Sequence, residues 1–474
     1  MSSATGYRQQ PPPPPPHIAL LPSAGMGHLT PLLRLAAMLA SCNCTVTLIT
    51  AQPPVSAAEA THITAFLAAN PTINRLDFQI LPYIPSNTAT ADPFFIQFEA
   101  IIRSGHLLTP LLSTTSPPIS AIFADIASAA GVFQVADDLG IPIYIVSTTC
   151  ARFSSLVAYI QHLIAPGSSI TMAETSIHVP GLVPFDISTL PPPFFIPNHI
   201  FTNGLVSNSR ILTKSKGILV NTFHAFEPEA IGAVNGGKVM PNFPPFLPIG
   251  PLKPHNLELG DHQPLPWLDK QPPQSVVYVN FGSRTALSRD QITELRNGLE
   301  ESGKIFLWVL KSTTVDKQDT EELEELLGNS FIQRTKHKGM VVKGWVNQEQ
   351  ILSHPAIGSF VSHCGWNSVM EAAARGIPVL AWPQHGDQKV NAGVVETAGL
   401  GIWTKGWGWL GEKTVKGEEI AEKIRMVMSD EKLREKARKI GEEAKTAIEI
   451  GGSSNKVLME IINNLQYKQD ITGY

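Results

Sequence analysis

Short unbroken apolar runs recur along the chain, and helical periodicity follows several of them. "HIALLPS" (17–23), "TVTLITA" (45–51), "FQILPYI" (78–84), "AIFAD" (121–125), "IPIYIV" (141–146) and "GILVNTF" (217–223) read as strands buried on both faces. Segments such as "TPLLRLAAMLAS" and "AAGVFQVADDLG" carry the 3.6-residue spacing of helices that cover such a sheet. The pattern breaks at "PNFPPFLPIGPLKP" (241–254), whose prolines continue neither a helix nor a central strand. It then resumes with "SVVYVNFGS" (275–283), "IFLWVL" (305–310), "GMVVKGW" (339–345), "IGSFVSH" (357–363) and "PVLAWP" (378–383), followed by charged amphipathic helices to near Gly451. Two βαβ series joined by a proline-rich linker predict an α/β protein of two doubly wound domains. The expected boundaries are a disordered proline-rich leader at 1–16, an N-terminal domain at 17–240 and a linker at 241–256. A C-terminal domain at 257–455 and a tail at 456–474 that packs back on the first domain complete the division. Ligands of such sheets sit at the carboxyl ends of strands, so the cleft between the domains is the expected site. The proline-rich segment 179–197 is too long for a plain connection and is a candidate cap on that cleft.

Composition narrows the partners. At 474 residues the chain exceeds one compact core. Of its 76 charged side chains only 20 fall in the first 250 residues, which suits either a greasy ligand pocket or a larger core or buried interface. A net charge of −4 without any Lys/Arg block gives no reason to expect nucleic acid. Four cysteines form no CxxC pair and no disulfide framework. No segment has the apolar core of a signal peptide or the roughly 18 apolar residues of a membrane span. These features point to a cytoplasmic protein, taken to be a monomer, that acts on small molecules.

Chemistry concentrates in "SFVSHCGWNSVMEAAARGIPVLAWPQHGDQ" (359–388). The expected strand ends at His363 and a helix is expected from near Ser368. Unpaired backbone N–H groups and the positive end of the helix dipole then meet at "HCGWNS", a place to hold a phosphate. Gly365 lets the backbone approach, and Asn367 and Ser368 add donors. The competing interpretation is an S-x-x-E capping box between Ser368 and Glu371. His363 beside Cys364 has no accompanying ligand set, so no metal is expected there. Trp345 closes the preceding strand with an aromatic face that can stack on a base, and Gln348 follows three residues on. Glu371, one helical turn beyond the phosphate site, can take both hydroxyls of a ribose. Asp387 and Gln388, after the next strand, can hydrogen-bond a polyol. Base, ribose, phosphate and sugar fall in order along one strip, the footprint of a nucleotide sugar.

In the first series, His28 follows a strand and opens a helix, where the dipole disfavours imidazolium and keeps the ring able to accept a proton. Asp125 ends "AIFAD", and topology places it to contact the other ring nitrogen as a His–Asp dyad. The plainer alternatives are a helix cap for His28 and a turn residue for Asp125. Thr148 and Thr149, after "IPIYIV", offer hydroxyls near the sugar or a local turn. "GMGHLT" lacks the third glycine of a dinucleotide fingerprint, which argues against an oxidoreductase.

At this point the chain resembles the plant family 1 UDP-sugar-dependent glycosyltransferases. Trp345 to Gln388 spans the length of that family's C-terminal signature box, and "PSAGMGHLTP", "NTFHAFEP" and "PWLDKQPPQSVVYVNFGS" extend the likeness. The resemblance implies two Rossmann-like domains facing across a cleft, the GT-B arrangement. It gives Trp345, with Val346 beside it, the uracil to stack, and Gln348 the nucleoside. Glu371 takes the ribose hydroxyls, and Ser283, His363, Gly365, Asn367 and Ser368 surround the pyrophosphate. Trp366, Asp387, Gln388 and Thr149 fall to the sugar, and Gln388 favours glucose. His28 and Asp125 become the catalytic pair of an inverting displacement. There is no DxD motif, and no metal or other cofactor is expected beside the donor substrate UDP-glucose. Within the family, "PSAGMGHLTP", "DPFFIQFE" and "PQHGDQKVNA" most resemble C-glucosyltransferases acting on phloretin, 2-hydroxyflavanone or benzophenone acceptors, with Phe94 and Phe95 as candidates to grip the aromatic ring. An O-glucosyltransferase of the same family is the nearest alternative, and a non-catalytic nucleotide-sugar-binding protein a distant one.

Overall fold

The computed structural model describes residues 14–84, 92–165, 168–171, 173–255, 264–313 and 321–472. Residues 1–13 of the expected leader, 256–263 at the join of linker and second domain, and 473–474 lie outside that set. Seven strands form the first sheet: β1 (His17–Leu21), β2 (Thr45–Gln52), β3 (Ile73–Gln79), β4 (Ala121–Asp125), β5 (Ile143–Ser147), β8 (Ile218–Val220) and β9 (Phe246–Pro248). Their spatial order is β3-β2-β1-β4-β5-β8-β9, with every pairing parallel. A two-stranded antiparallel ribbon, β6 (Ser176–Ile177) and β7 (Phe185–Asp186), belongs to the proline-rich insertion. The second sheet contains β10 (Val276–Asn280), β11 (Ile305–Leu310), β12 (Gly339–Lys343), β13 (Ile357–Ser362), β14 (Val379–Ala381) and β15 (Gly401–Trp403), in the order β12-β11-β10-β13-β14-β15. It too is parallel throughout. Every residue of β1, β4 and β13 is buried, which is why these strands read as unbroken apolar runs.

In the first sheet two boundaries differ from expectation, both at its edges. The strand expected at 78–84 is instead β3 at 73–79. As an edge strand it leaves Asn74, Arg75 and Asp77 exposed, so its polarity hid it, while the more apolar run beyond it contains Pro82 and forms no strand. The linker expected at 241–256 contains β9, which pairs Phe246 with Ile218 and Pro248 with Val220. Proline is tolerated there because an outer strand has one side that donates no ladder bond. In the second sheet β12 stops at Lys343, so Trp345 sits two residues past the strand, and the helix expected near Ser368 begins at Trp366. The closing helix, Ser453–Thr472, returns to the first sheet: Leu458, Ile461, Ile462 and Leu465 join the apolar layer containing Ile18, Leu20 and Ile249. Ser454 Oγ donates to the Gly250 carbonyl at 2.6 Å.

The strand orders locate the site. The first sheet reverses its direction of growth between β1 and β4, and the second between β10 and β13. Crevices open at the carboxyl ends of strands at such switch points. His28 follows β1 and Asp125 ends β4; Ser283 follows β10 and His363 follows β13. Both switch points open into one cleft of about 990 Å³.

Candidate active site

On the first sheet's side, the helix Met26–Ser41 begins within a few residues of β1, so His28 is its third residue. Asp125 is fully buried and held by Ser23 Oγ at 2.9 Å and the Ala127 amide at 2.7 Å. Its two oxygens lie 3.1 and 3.0 Å from His28 Nδ1. A carboxylate can only accept, so Nδ1 carries the proton and Nε2 is the nitrogen left with a lone pair. Thr148 Oγ1 is also 3.1 Å from Nδ1, and the Phe98 ring meets the imidazole edge-on at 5.2 Å. His28 is not a helix cap, whereas Asp125 does form a local turn through the Ala127 and Ser128 amides and holds His28 with the same carboxylate.

The electrostatics reverse one expectation. Burial is the largest influence on His28 and favours the neutral ring, with Arg284 acting in the same sense. The charge and hydrogen bond of Asp125, joined by the charge of Asp387, outweigh them, and the pKa lies above 6.5. The buried carboxylate therefore governs the proton affinity of His28, against the neutral-favouring influence expected of the helix terminus.

On the second sheet's side, the helix Trp366–Arg375 starts at an N-cap, Gly365, that contributes no side-chain cap. Its first N–H groups have no intrahelical partner. Ser368 lies inside this helix, so the S-x-x-E capping box does not form. Ser368 Oγ instead accepts from Gln348 Nε2 at 2.9 Å, and the same nitrogen donates to Glu371 Oε2 at 2.6 Å. Gln348 Oε1 is fixed by Asn280 Nδ2 at 2.8 Å and Tyr278 OH at 3.2 Å.

His363 explains two glycines. A Cβ on Gly282 or on Gly365 would lie 2.5 Å from His363 Nε2, so the imidazole occupies space that only glycines leave open. Burial, helped by nearby His385, lowers its pKa to about 3. This ring is neutral at any physiological pH, and it meets a ligand as a hydrogen-bonding group without a charge. Between His363 and Gly365, Cys364 adopts φ 61°, a conformation a non-glycine residue rarely takes and one concentrated at functional sites.

Every donor-strip candidate lines the cleft: Ser283, Trp345, Val346, Gln348, His363, Gly365, Trp366, Asn367, Ser368, Glu371, Asp387, Gln388 and Thr149, together with Phe94, Phe95 and His28. Asp125 lies behind His28. The candidates differ in what they have left to offer. Trp345 is 45 % exposed, an available aromatic face. Trp366 is buried and its indole N–H is committed to the Asn221 carbonyl at 2.8 Å. Asp387 accepts from Thr149 Oγ1, across the cleft, and from Asn391 Nδ2 at 2.9 Å, while burial raises its pKa. Gln388 turns its carbonyl oxygen onto the amides of Gln384 and His385, at 2.9 and 3.0 Å, and so shapes its own loop. Phe94 is buried beneath Arg284, whose guanidinium stands 4.1 Å above the ring. Phe95 packs with Phe98 and Phe201 to form the aromatic wall beside His28. Pro191, Pro192 and Pro193 bring the proline-rich segment to the same cleft.

With this geometry in hand, comparison with known proteins is specific. Residues 253–442 match the family described as UDP-glucoronosyl and UDP-glucosyl transferase. Over 453 residues, 95% of both chains, the sequence is 48% identical to UDP-glycosyltransferase 708C1 of Fagopyrum esculentum. The chain belongs to the UDP-glycosyltransferase family. A relative named UDP-glycosyltransferase CGT, from Oryza sativa subsp. japonica, is 48% identical over 448 residues, covering 94% of this chain and 95% of that one. The crystal structure of LpCGTa in complex with UDP superposes with a TM-score of 0.83 at 45% identity, covering 95% of this UDP-glycosyltransferase and 99% of the other. The two parallel-sheet domains thus form a GT-B fold.

Sequence reading of this UDP-glycosyltransferase passed over three cleft residues. Phe98 follows Phe94 by one helical turn on Pro93–Ser104, a spacing visible in the sequence. Arg284 donates to Asp92 Oδ2 at 2.6 Å, joining the two halves of the cleft. Arg34 donates to Glu371 Oε1 at 2.6 Å and lies 3.1 Å from Glu349. Its signal was a lone charge in the apolar run "TPLLRLAAM". Among the described residues no helix is long and apolar enough to cross a membrane.

Proposed function

We propose that this chain is an inverting UDP-glucose-dependent C-glucosyltransferase acting on phloroglucinol-type aromatic acceptors, with phloretin as the simplest test compound. The observation that carries the reading is the His28–Asp125 pair facing the donor strip across one cleft. Uracil stacks on Trp345 beside Val346, the ribose diol meets Glu371, and the diphosphate meets the helix terminus at Gly365–Ser368, His363 and Ser283. Asp387, Gln388 and Thr149 lie toward the sugar. His28 Nε2 takes the proton of a phenolic hydroxyl, and the charge delocalises onto the ortho carbon. That carbon attacks the anomeric carbon from the face opposite UDP, the C–O bond to the diphosphate breaks with its electron pair on UDP, and configuration inverts. Loss of the proton from the attacking carbon restores the aromatic ring. Backbone N–H groups and neutral side-chain donors stabilise the leaving diphosphate, a task that needs no divalent cation.

Carbon rather than oxygen transfer is supported by the aromatic wall of Phe95, Phe98 and Phe201 beside His28, which can hold a planar ring edge toward the sugar, and by the likeness to a relative named CGT. Incubation with UDP-glucose and phloretin tests it. The expected product resists acid and β-glucosidase and shows, by NMR, the anomeric proton coupled to an aromatic carbon. A glucoside cleaved by either treatment would replace this reading with O-transfer.

The raised proton affinity of His28 sets a pH dependence. The base works only when neutral, so kcat/KM falls as the pH drops through a pKa above the ordinary 6.5. Asp125→Asn removes the charge that raises it, and the acid limb of the residual activity is expected at lower pH. Rate profiles of the two proteins between pH 5 and 9 make the comparison; coincident acid limbs would remove Asp125 from this role.

A further inference from the structure

Arg34 lies in the half of the molecule that carries His28, yet its side chain is buried against the other half. It is 5 % exposed, stands six residues beyond His28 on the same helix, and lines the shared cleft. Its guanidinium donates to Glu371 Oε1 at 2.6 Å and approaches Glu349 Oε1 at 3.1 Å. Arg375 stands 3.7 Å from the other oxygen of Glu349. Two carboxylates and two guanidiniums therefore alternate across the domain boundary.

We infer that Arg34 is a donor-positioning residue supplied by the acceptor half: it fixes the orientation of the Glu371 carboxylate for the ribose diol of the nucleotide. This rests on the assignment of the donor strip above. A carboxylate has about four lone-pair sites. Arg34 occupies one on Oε1 and Gln348 one on Oε2, which leaves two directions open for two hydroxyl donors. A carboxylate buried in a cleft needs a cationic or hydrogen-bonding partner, and Glu371 has a second carboxylate, Glu349, close enough to repel it. Burial, followed by the charge of Glu371, pushes Glu349 up to about 7, with Arg34 and Arg375 opposing. The other titratable groups here supply no positive charge. Burial and the charge of Arg34 lower His62 to about 4, and burial, Arg34 and His62 lower His255 to about 3, so both rings are neutral. Tyr278, whose hydroxyl is likewise fully buried near Glu371, stays protonated.

Because Arg34 and His28 share one helix, about 9 Å apart along its axis, the same contact ties the donor half to the element that carries the base. Arg34 thus acts through Glu371, and its loss acts mainly on donor affinity.

The test is calorimetric titration of UDP into the full chain at neutral pH, with circular dichroism as a check on folding. In Arg34→Met the dissociation constant is expected to rise about tenfold, the effect of losing one charge-assisted contact. The KM for UDP-glucose rises while kcat changes only a few-fold. Should Arg34→Met fail to fold, Arg34→Lys retains the charge without the planar fork, and a several-fold loss of affinity supports the same role. A folded Arg34→Met that binds UDP as tightly as the parent, with an unchanged KM for UDP-glucose, overturns the proposal; if Lys is the variant measured, unchanged affinity does so. A parent chain that binds no UDP removes the donor-strip assignment itself and this inference with it.

Discussion

His28→Ala should transfer glucose about 10²- to 10⁴-fold more slowly than the parent chain while binding UDP with unchanged affinity. The size follows from what a general base supplies, and the separation of effects follows from position. His28 stands on the first sheet's side of the cleft, bonded through Nδ1 to a fully buried Asp125, whereas the residues proposed to hold the nucleotide follow the strands of the second sheet. Removing the imidazole deletes the proton acceptor and leaves Trp345, Gln348 and Glu371 in place. An acceptor that is already ionised needs less help, so the deficit should shrink as the pH approaches the phenol's own pKa. Single-turnover transfer and UDP titration measure the two halves separately. Unchanged turnover would remove His28 from the chemistry, and lost UDP binding would assign it a structural role instead.

Glu371→Ala should raise the KM for UDP-glucose about 100-fold, with a smaller effect on kcat. Two neutral hydroxyls bonded to a carboxylate contribute roughly 1.4 kcal/mol each, close to the usual net value of a hydrogen bond, and their joint loss of about 2.8 kcal/mol is a hundredfold in affinity. The alanine also strips Arg34 of its nearest counter-ion, so Glu371→Gln, which keeps the shape, is the companion variant. Steady-state kinetics with varied donor decide the matter. If KM stays at the parent value in both, Glu371 serves only as the partner of Arg34.

The repeating parallel units were legible because strands buried on both faces become uninterrupted apolar words. Legibility failed at β3 and β9, edge strands whose exposed side admits Asn74, Arg75, Asp77 and Pro248. That the strip candidates from Trp345 to Gln388 share one cleft was legible for a related reason. They belong to one continuous segment and follow strands or sit in the first two turns of helices. Contacts that cross the cleft have no such continuity. Arg34 and Glu371 are 337 residues apart, and Arg284 and Asp92 are 192 apart. Nothing in local spacing pairs them. Side-chain direction was equally hidden. Gln388 and Trp366 sit where expected, yet one turns its amide into its own loop and the other spends its N–H on Asn221. Both the helix terminus at His28 and its pairing with Asp125 were visible in sequence, but which influence governs the proton affinity was not, because burial and the charges of Asp387 and Arg284 also enter the balance.

A crystal of this chain holding an unreactive UDP-glucose analogue together with phloretin probes the central claim most directly. The account predicts uracil against Trp345, the ribose diol on Glu371, a phenolic hydroxyl at His28 Nε2, and its ortho carbon as the acceptor atom nearest the anomeric carbon. A nucleotide lodged away from Trp345, or a phenolic oxygen in place of that carbon, would contradict it.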